Sequence, residues 1–169
     1  MQDYICIGVI NEYNRQEVNI KQLMQEVCGK MQSVYQKYNI GLQLQSEDFS
    51  VRVEQDLFER MLYNYLDNAR KASAENGEVR LSAYQTEDGY TIEIADHGIG
   101  MAQEEIGKIE DPFYMIDKAR GRKTEGVGLG MAIAGKIAAA HHGEVRIESI
   151  PKEGTIIRIH FSEDLDYTK

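Results

Sequence analysis

MLYNYLDNARKAS, residues 61–73, is the stretch on which the reading of the whole chain turns. Together with Phe58, the residues Met61, Leu62, Tyr65, Leu66, Ala69 and Ala72 recur at helical spacing and define a face that has to be buried. Asn64, Asn68 and Lys71 fall at i, i+4 and i+7, so they share one stripe along the edge of that helix. An amide oxygen is a hard neutral donor suited to Mg²⁺, which takes one or two protein oxygens and fills its shell with phosphate oxygens and water. A lysine one turn on supplies charge for a phosphate. For any single asparagine the competing reading is a polar helix edge turned to solvent.

Outward from this helix, expected over 55–74 and ending near Asn76-Gly77, the pattern alternates between helix and strand. Ile20, Leu23, Met24, Val27, Met31, Val34 and Tyr35 predict an earlier helix from Val18 to about Tyr38, stopped by Asn39-Ile40-Gly41. GLQLQ (41–45) and VRVEQ (51–55) alternate as strands do, and EVRLSAYQ and YTIEIAD flank TEDG as a hairpin. About thirty residues, 97–126, are rich in glycine and charge with little periodicity. A second apolar helix follows from Leu129 to His141, then two strands, EVRIESI and TIIRIHF, joined by PKEG. This is an α/β pattern: a two-layer sandwich whose mixed, mostly antiparallel sheet is packed on one face by three helices.

Composition narrows the function. The chain has 169 residues, 42% of them hydrophobic, enough for one good core. A formal charge of −9 argues against a nucleic-acid surface, and the only cationic cluster is KARGRK at 118–123. Cys6 and Cys28 lack metal-type spacing and read as reduced thiols of a cytosolic protein. No run approaches the roughly 18 apolar residues of a membrane span; YICIGVI, 4–10, reads as a strand or as the last turns of a helix begun upstream. The sequence suits a soluble domain, and equally a piece of a membrane-anchored parent.

Two further segments carry chemistry. In IADHGIGM (94–101) an apolar strand ends in Asp96, followed by Gly98 and Gly100. Glycines at alternate positions let backbone approach a flat ligand, and a carboxylate at the strand end can accept from an exocyclic amine. In EGVGLGMAIAGKIAAAHHG (125–143), Gly126, Gly128 and Gly130 alternate just before a helix, where free N–H groups and the helix dipole favour an anion. The spacing is neither the dinucleotide fingerprint nor a Walker A loop. Each segment taken alone is also compatible with an ordinary turn or loop.

In their order, Asn-x-x-x-Asn-x-x-Lys, Asp-x-Gly-x-Gly and Gly-x-Gly-x-Gly are jointly specific. With NYLDNARKAS, DHGIGM, DPFYM, GVGLGMAI and HHGEVRIES…EGT, the chain from about Glu17 to Phe161 resembles the catalytic, ATP-binding domain of sensor histidine kinases. That domain belongs to the superfamily shared with gyrase, heat-shock chaperone and mismatch-repair ATPases. The resemblance implies a Bergerat-type ATP-binding fold over 17–163, with 1–16 a linker or the tail of a preceding dimerisation helix and 164–169 a C-terminal tail.

By the same resemblance Asn68 ligates the Mg²⁺ that bridges the ATP phosphates, Asn64 supports it and Lys71 reaches a phosphate. Asp96 accepts from the adenine 6-amino group, with Gly98 and Gly100 shaping the base pocket and Thr155 near the adenine side. Residues 102–125 correspond to a mobile lid, in which Arg120 is first choice for the γ-phosphate and Lys118 a further basic group. Gly126, Gly128 and Gly130 correspond to its hinge and to phosphate-binding N–H groups. Met101, Tyr114 and Leu129 complete the implied nucleotide contacts. Two departures bear on the lid: Glu110 precedes DPFYM, and Met115 stands where the family often has an arginine.

Asn64 separates the relatives. ATP-hydrolysing members resemble one another in carrying a water-activating glutamate there, whereas an amide is no general base. The resemblance therefore implies a protein histidine kinase that passes the ATP γ-phosphoryl to a histidine, for relay to a response regulator. His97, His141, His142 and His160 all lack the acceptor context, a helical histidine followed by an acid and then a proline; His141 and His142 read as helix-end cap and packing residues. The acceptor is thus expected on a separate dimerisation domain of the parent kinase, with no nucleic acid and no membrane contacted by this domain. The alternatives are a nucleotide-binding regulatory module without catalysis, and an ATPase or serine-directed kinase of the same superfamily.

Overall fold

The structure, a computed structural model, describes residues 14–109 and 130–162. The readings made for YICIGVI, for the basic run 118–123 and for the C-terminal tail lie outside these residues. The elements are β1 (Gln16–Asn19), α1 (Ile20–Lys37), β2 (Gly41–Ser46), β3 (Ser50–Val53), α2 (Gln55–Ala72), β4 (Glu78–Thr86), β5 (Gly89–Asp96), a one-turn α3 (Gln103–Ile106), α4 (Gly130–Ala140), β6 (Gly143–Ile150) and β7 (Gly154–Ser162). Among the described residues no helix is long and apolar enough to cross a membrane.

The main sheet has five strands in the order β2-β4-β5-β7-β6. Its β2–β4 pair is parallel and every other pair antiparallel. Helices α1, α2 and α4 cover one face, as the sequence pattern predicts. Burial alternates along the strands, so Ile92, Ile94, Ile157 and Ile159 point inward to meet Phe58, Leu62 and Leu66 of α2 in one core. Each such side chain contributes about 1.5–3 kcal/mol by leaving water. Tyr90 stacks on Phe161 with ring centroids 4.9 Å apart, and Phe58 tilts against Phe161 at 5.5 Å.

Local chemistry sets the element ends. Asn19 caps α1 by accepting from the Gln22 N–H at 2.9 Å, and Asn39, at φ 56°, closes it. Glu54 caps α2 in the same way, its carboxylate accepting from Leu57 N–H at 2.8 Å. That cap corrects the expectation of a strand through 51–55: β3 stops at Val53, because Glu54 and Gln55 are claimed by the helix. The helix predicted from Val18 begins at Ile20 for a related reason. Residues 16–19 form β1, which pairs antiparallel with β3 in a separate two-stranded sheet, Gln16 opposite Val53 and Val18 opposite Val51. Nothing in QEVN alternates strongly; β3 recruits it.

α1 and α2 are tied by the Tyr35 hydroxyl, which donates to the Leu66 carbonyl oxygen at 2.6 Å. At the far end of α4, His141 joins three elements. Its Nδ1 lies 2.8 Å from Ile137 O, its Nε2 accepts from the Glu54 N–H at 3.1 Å, and its ring meets the edge of Phe58 at 5.5 Å. A backbone donor on Nε2 requires a neutral ring with the proton on Nδ1. The neighbouring His142, at φ 61°, ends the helix. Arg15 reaches the same end, donating from Nη2 to Ala140 O at 2.8 Å.

Burial holds His141 below its ordinary pKa of 6.5, against the opposing hydrogen bond to Ile137. The unfolded chain therefore takes up a proton that the fold refuses. The stabilisation is complete above about pH 6.5 and is lost as pH falls below it. Urea midpoints should drop between about pH 7.5 and about pH 5.5, and His141→Asn should flatten that dependence while costing about 1–3 kcal/mol at neutral pH.

Candidate functional site

The inward face of the sheet changes character along its length. Cross-strand partners on β5, β7 and β6 form successive rows: Ile92, Ile159 and Val145, then Ile94, Ile157 and Ile147, and last Asp96, Thr155 and Ser149. Side chains directly opposite one another share a face, so an apolar surface ends in a polar rung at the last residue of β5. Asp96 is only 7% exposed and Thr155 6%. Burial pushes the Asp96 carboxyl upward from its ordinary pKa, while hydrogen bonds from the Gly98 and Thr155 backbones and the nearby His97 pull it down.

Asp96 Oδ1 accepts from the Gly98 N–H at 2.9 Å, which leaves acceptor capacity on the carboxylate. The turn beyond it is sewn into place by backbone contacts. Ile99 N–H donates to Ala72 O at 3.0 Å, and Lys152 N–H donates to Ile99 O at 2.7 Å. Both glycines here are required by the protein's own backbone. A Cβ on Gly98 would collide with the Ala72 carbonyl oxygen, and one on Gly100 with the Ile150 carbonyl oxygen; Gly100 also sits at φ 67°. The expectation that they admit a flat ligand is thus joined by a different steric reason.

Ser149, which sequence reasoning passed over, links these parts. Its hydroxyl accepts from Met101 N–H at 2.7 Å and lies 3.0 Å from Gly154 O and 2.7 Å from Thr155 Oγ1. The signal available in sequence was its place two residues before PKEG. Pairing it with Thr155 needed the register.

On α2 the amide stripe is half-buried, while Phe58, Met61, Leu62, Tyr65, Leu66 and Ala69 are buried as expected. Ala72 is the exception, half-exposed at the rim where its carbonyl meets the Gly turn. Lys71 Nζ pairs with Asp67 Oδ2 at 2.9 Å, and Asp67 Oδ1 also binds Arg70 at 2.9 Å. With Lys71 34% and Asp67 41% exposed, the pair is worth at most about 1 kcal/mol, so a polyphosphate can displace the carboxylate. Asn64 faces the first residue of α4, where a Cβ on Gly130 would lie 3.8 Å from Asn64 Oδ1. That is ordinary contact distance, and Gly130 is not sterically compelled. The Asn64 Nδ2 is buried with no hydrogen-bond partner among the described residues. A buried donor left unmade costs about 1–3 kcal/mol, and here it lies beside the positive end of a helix, where an anion would satisfy it.

These groups suit a metal only in company. Among the described residues no cluster of three or more His, Cys, Asp or Glu is placed to hold a cation. Asn68 makes no side-chain hydrogen bond among those residues, so its neutral oxygen is available to a Mg²⁺ whose charge is balanced by phosphate. A concavity of about 390 Å³ lies where the end of α2 meets the Gly turn and the β6–β7 turn, lined by Ala72, Ala74, His97, Gly98, Ile99 and Lys152. Tyr114, Lys118, Arg120, Gly126, Gly128 and Leu129 lie outside the described residues, as do Glu110 and Met115. Of the expected lid, 102–125, only 102–109 lie within the described residues; there Gln103–Ile106 is helical and Ile109 is buried in the core.

Comparison with known proteins gives a family match, described as histidine kinase-, DNA gyrase B- and HSP90-like ATPase, over residues 53–165. Sensor histidine kinase WalK of Bacillus subtilis (strain 168) is 34% identical over 149 residues, covering 86% of this chain. The chain spans only 24% of the length of WalK. The catalytic domain of histidine kinase ThkA superposes with a TM-score of 0.76 at 25% identity, covering 88% of this chain and 95% of that one. ThkA has also been solved in complex with response regulator protein TrrA, with a TM-score of 0.73 at 22% identity, covering 89% and 42%. Full-length ShkA in complex with AMPPNP has the same fold, with a TM-score of 0.82 at 23% identity over 96% of this chain and 34% of that one.

The backbone contacts of the Gly turn predict opposite outcomes for two Gly→Ala changes. Gly98→Ala should cost about 1–3 kcal/mol by urea denaturation, because the Ala72 carbonyl has nowhere to go. Gly29→Ala, in exposed α1 with nothing within 4 Å of the added methyl, should stabilise by about 0.5–1 kcal/mol.

Proposed function

Because the chain belongs to the histidine kinase-, DNA gyrase B- and HSP90-like ATPase family, we propose that it is the ATP-binding catalytic domain of a sensor histidine kinase. In this reading it transfers the ATP γ-phosphoryl to a histidine on the dimerisation domain of its parent, for relay to a response regulator. The observation that carries the reading is that α2 borders both other segments: Asn64 faces the first residue of α4, and Ala72 holds the Gly turn that follows the buried acid of β5. The kinships to WalK and ThkA support a kinase, and the AMPPNP held by ShkA, which shares the fold, supports nucleotide binding.

Each group has a role set by its chemistry. Asp96, with one oxygen committed to Gly98, accepts from the exocyclic amine of adenine. Lys71 exchanges Asp67 for a phosphate. Asn64 turns its orphaned N–H toward the polyphosphate beside Gly130. Asn68 offers its oxygen to Mg²⁺, which supplies charge neutralisation for the phosphates when bound. Phosphoryl transfer needs positioning and neutralisation above all, and Asn64 cannot serve as a base to activate water. Transfer is favoured over hydrolysis.

The four histidines support an acceptor supplied by another domain. His141 is a neutral packing group, His142 ends α4, and His160 is bound to Thr91 and Asp88 on β5 and its turn. His97 lies exposed in the Gly turn. The domain would work on the cytoplasmic side, where ATP is found, whatever the anchorage of its parent.

Thermal denaturation with ADP and ATP, with and without Mg²⁺, tests nucleotide binding. Ligand at 100 times its dissociation constant should stabilise the wild type by about 2.7 kcal/mol, and Asn68→Ala should weaken the Mg²⁺-dependent part. A folded protein that no nucleotide shifts would sink the reading. With [γ-³²P]ATP and an isolated acceptor domain, label should appear on histidine, while release of free phosphate stays low. Binding without label transfer would favour the regulatory module instead.

A further inference from the structure

Ser149 Oγ has one proton and two lone pairs, yet three groups lie within bonding distance. Met101 N–H can only donate, and it does so at 2.7 Å. Gly154 O can only accept, so it takes the single Ser149 proton at 3.0 Å. With that proton on Gly154 O, the remaining contact, 2.7 Å to Thr155 Oγ1, is made by the Thr155 proton. Every valence of Ser149 is filled, and the Thr155 oxygen is left with lone pairs only. Thr155 stands directly across from Asp96 on the same face of the sheet. The rung therefore offers two acceptors side by side, a carboxylate and a hydroxyl that has already given its proton away.

We infer that Ser149 is a positioning residue that holds Thr155 as an acceptor and so helps the site choose a purine with a 6-amino group over one with a 6-oxo group. The inference rests on the nucleotide-binding reading above and deepens it. An amino group donates to both acceptors of the rung. A 6-oxo group meets lone pairs with lone pairs, and a buried polar group facing the wrong partner discriminates more sharply than a change of apolar fit. Without Ser149 the Thr155 proton is free to rotate and donate to a 6-oxo oxygen.

The test is calorimetric titration with ADP and with IDP, both in Mg²⁺, for the wild type and for Ser149→Ala, Ser149→Thr and Thr155→Val. The wild type should prefer ADP. Ser149→Ala should narrow that preference several-fold to about tenfold, the worth of one neutral hydrogen bond. Ser149→Thr, which keeps the hydroxyl, should retain the preference. A purely structural loss would weaken both nucleotides in parallel, so an unchanged ADP-to-IDP ratio in folded Ser149→Ala overturns the inference. If Ser149→Ala does not fold, Thr155→Val decides. It leaves Ser149 its Met101 and Gly154 partners, and it should narrow the ratio; an unchanged ratio overturns the inference equally. A wild type that binds neither nucleotide defeats the nucleotide reading and this inference with it, whereas binding with an insensitive ratio defeats this inference alone.

Discussion

Ile99 takes part in two backbone hydrogen bonds, donating to Ala72 at the end of α2 and accepting from Lys152 in the β6–β7 turn. Three segments distant in sequence are pinned together by peptide groups, at a separation that any side chain on Gly98 or Gly100 would prevent. The spacing between the helix that carries Asn64, Asn68 and Lys71 and the sheet that carries Asp96 and Thr155 follows from this junction. Backbone contacts are short and stiff compared with side-chain packing, which suits the proposed site, whose two halves would present donors and acceptors to one ligand.

The site is built from groups that the fold leaves poorly served. Asp96 is buried without a charged partner among its hydrogen bonds, Asn64 keeps a donor unmade among the described residues, and Lys71 rests in an exchangeable ion pair. Each is unfavourable or weak in the free protein, and each has the chemistry that the proposed adenine nucleotide would complement. The stability that tolerates them lies elsewhere. α2 is buried along its apolar face, anchored to α1 through Tyr35 and held at its N-terminus by Glu54 and His141. The helix that carries the amide stripe is thus secured along its buried face and at its N-terminus.

Periodicity alone made much of this legible. The helical spacing of α1 and α2, the alternation in β4 to β7 and the turn residues around 86–89 and 151–154 placed nine of the elements to within a few residues. β1 escaped because four residues with weak alternation become a strand only when β3 offers an edge. The strand expected through 55 stops at Val53 because Glu54 caps the helix that starts, as expected, at Gln55. Among site residues, Asn64, Asn68, Lys71 and Asp96 stood out through the joint order of their motifs and the family resemblance that order carries, each segment alone being compatible with an ordinary edge or turn. Ser149 did not stand out, since a serine near a turn is ordinary.

What the sequence determined by itself is which groups are present and at what spacing: amides and an ammonium at helical spacing and an acid at a strand end, all encoded locally, with the meaning of an amide at position 64 supplied by the family resemblance. What only the tertiary structure decided is direction and partnership. Cross-strand register set Ser149 against Thr155 and Thr155 against Asp96, and two residues of one hairpin joined a distant acid in one polar rung. Hydrogen bonds saturate, so the direction of a proton depends on every partner present, and those partners exist together only in the folded chain.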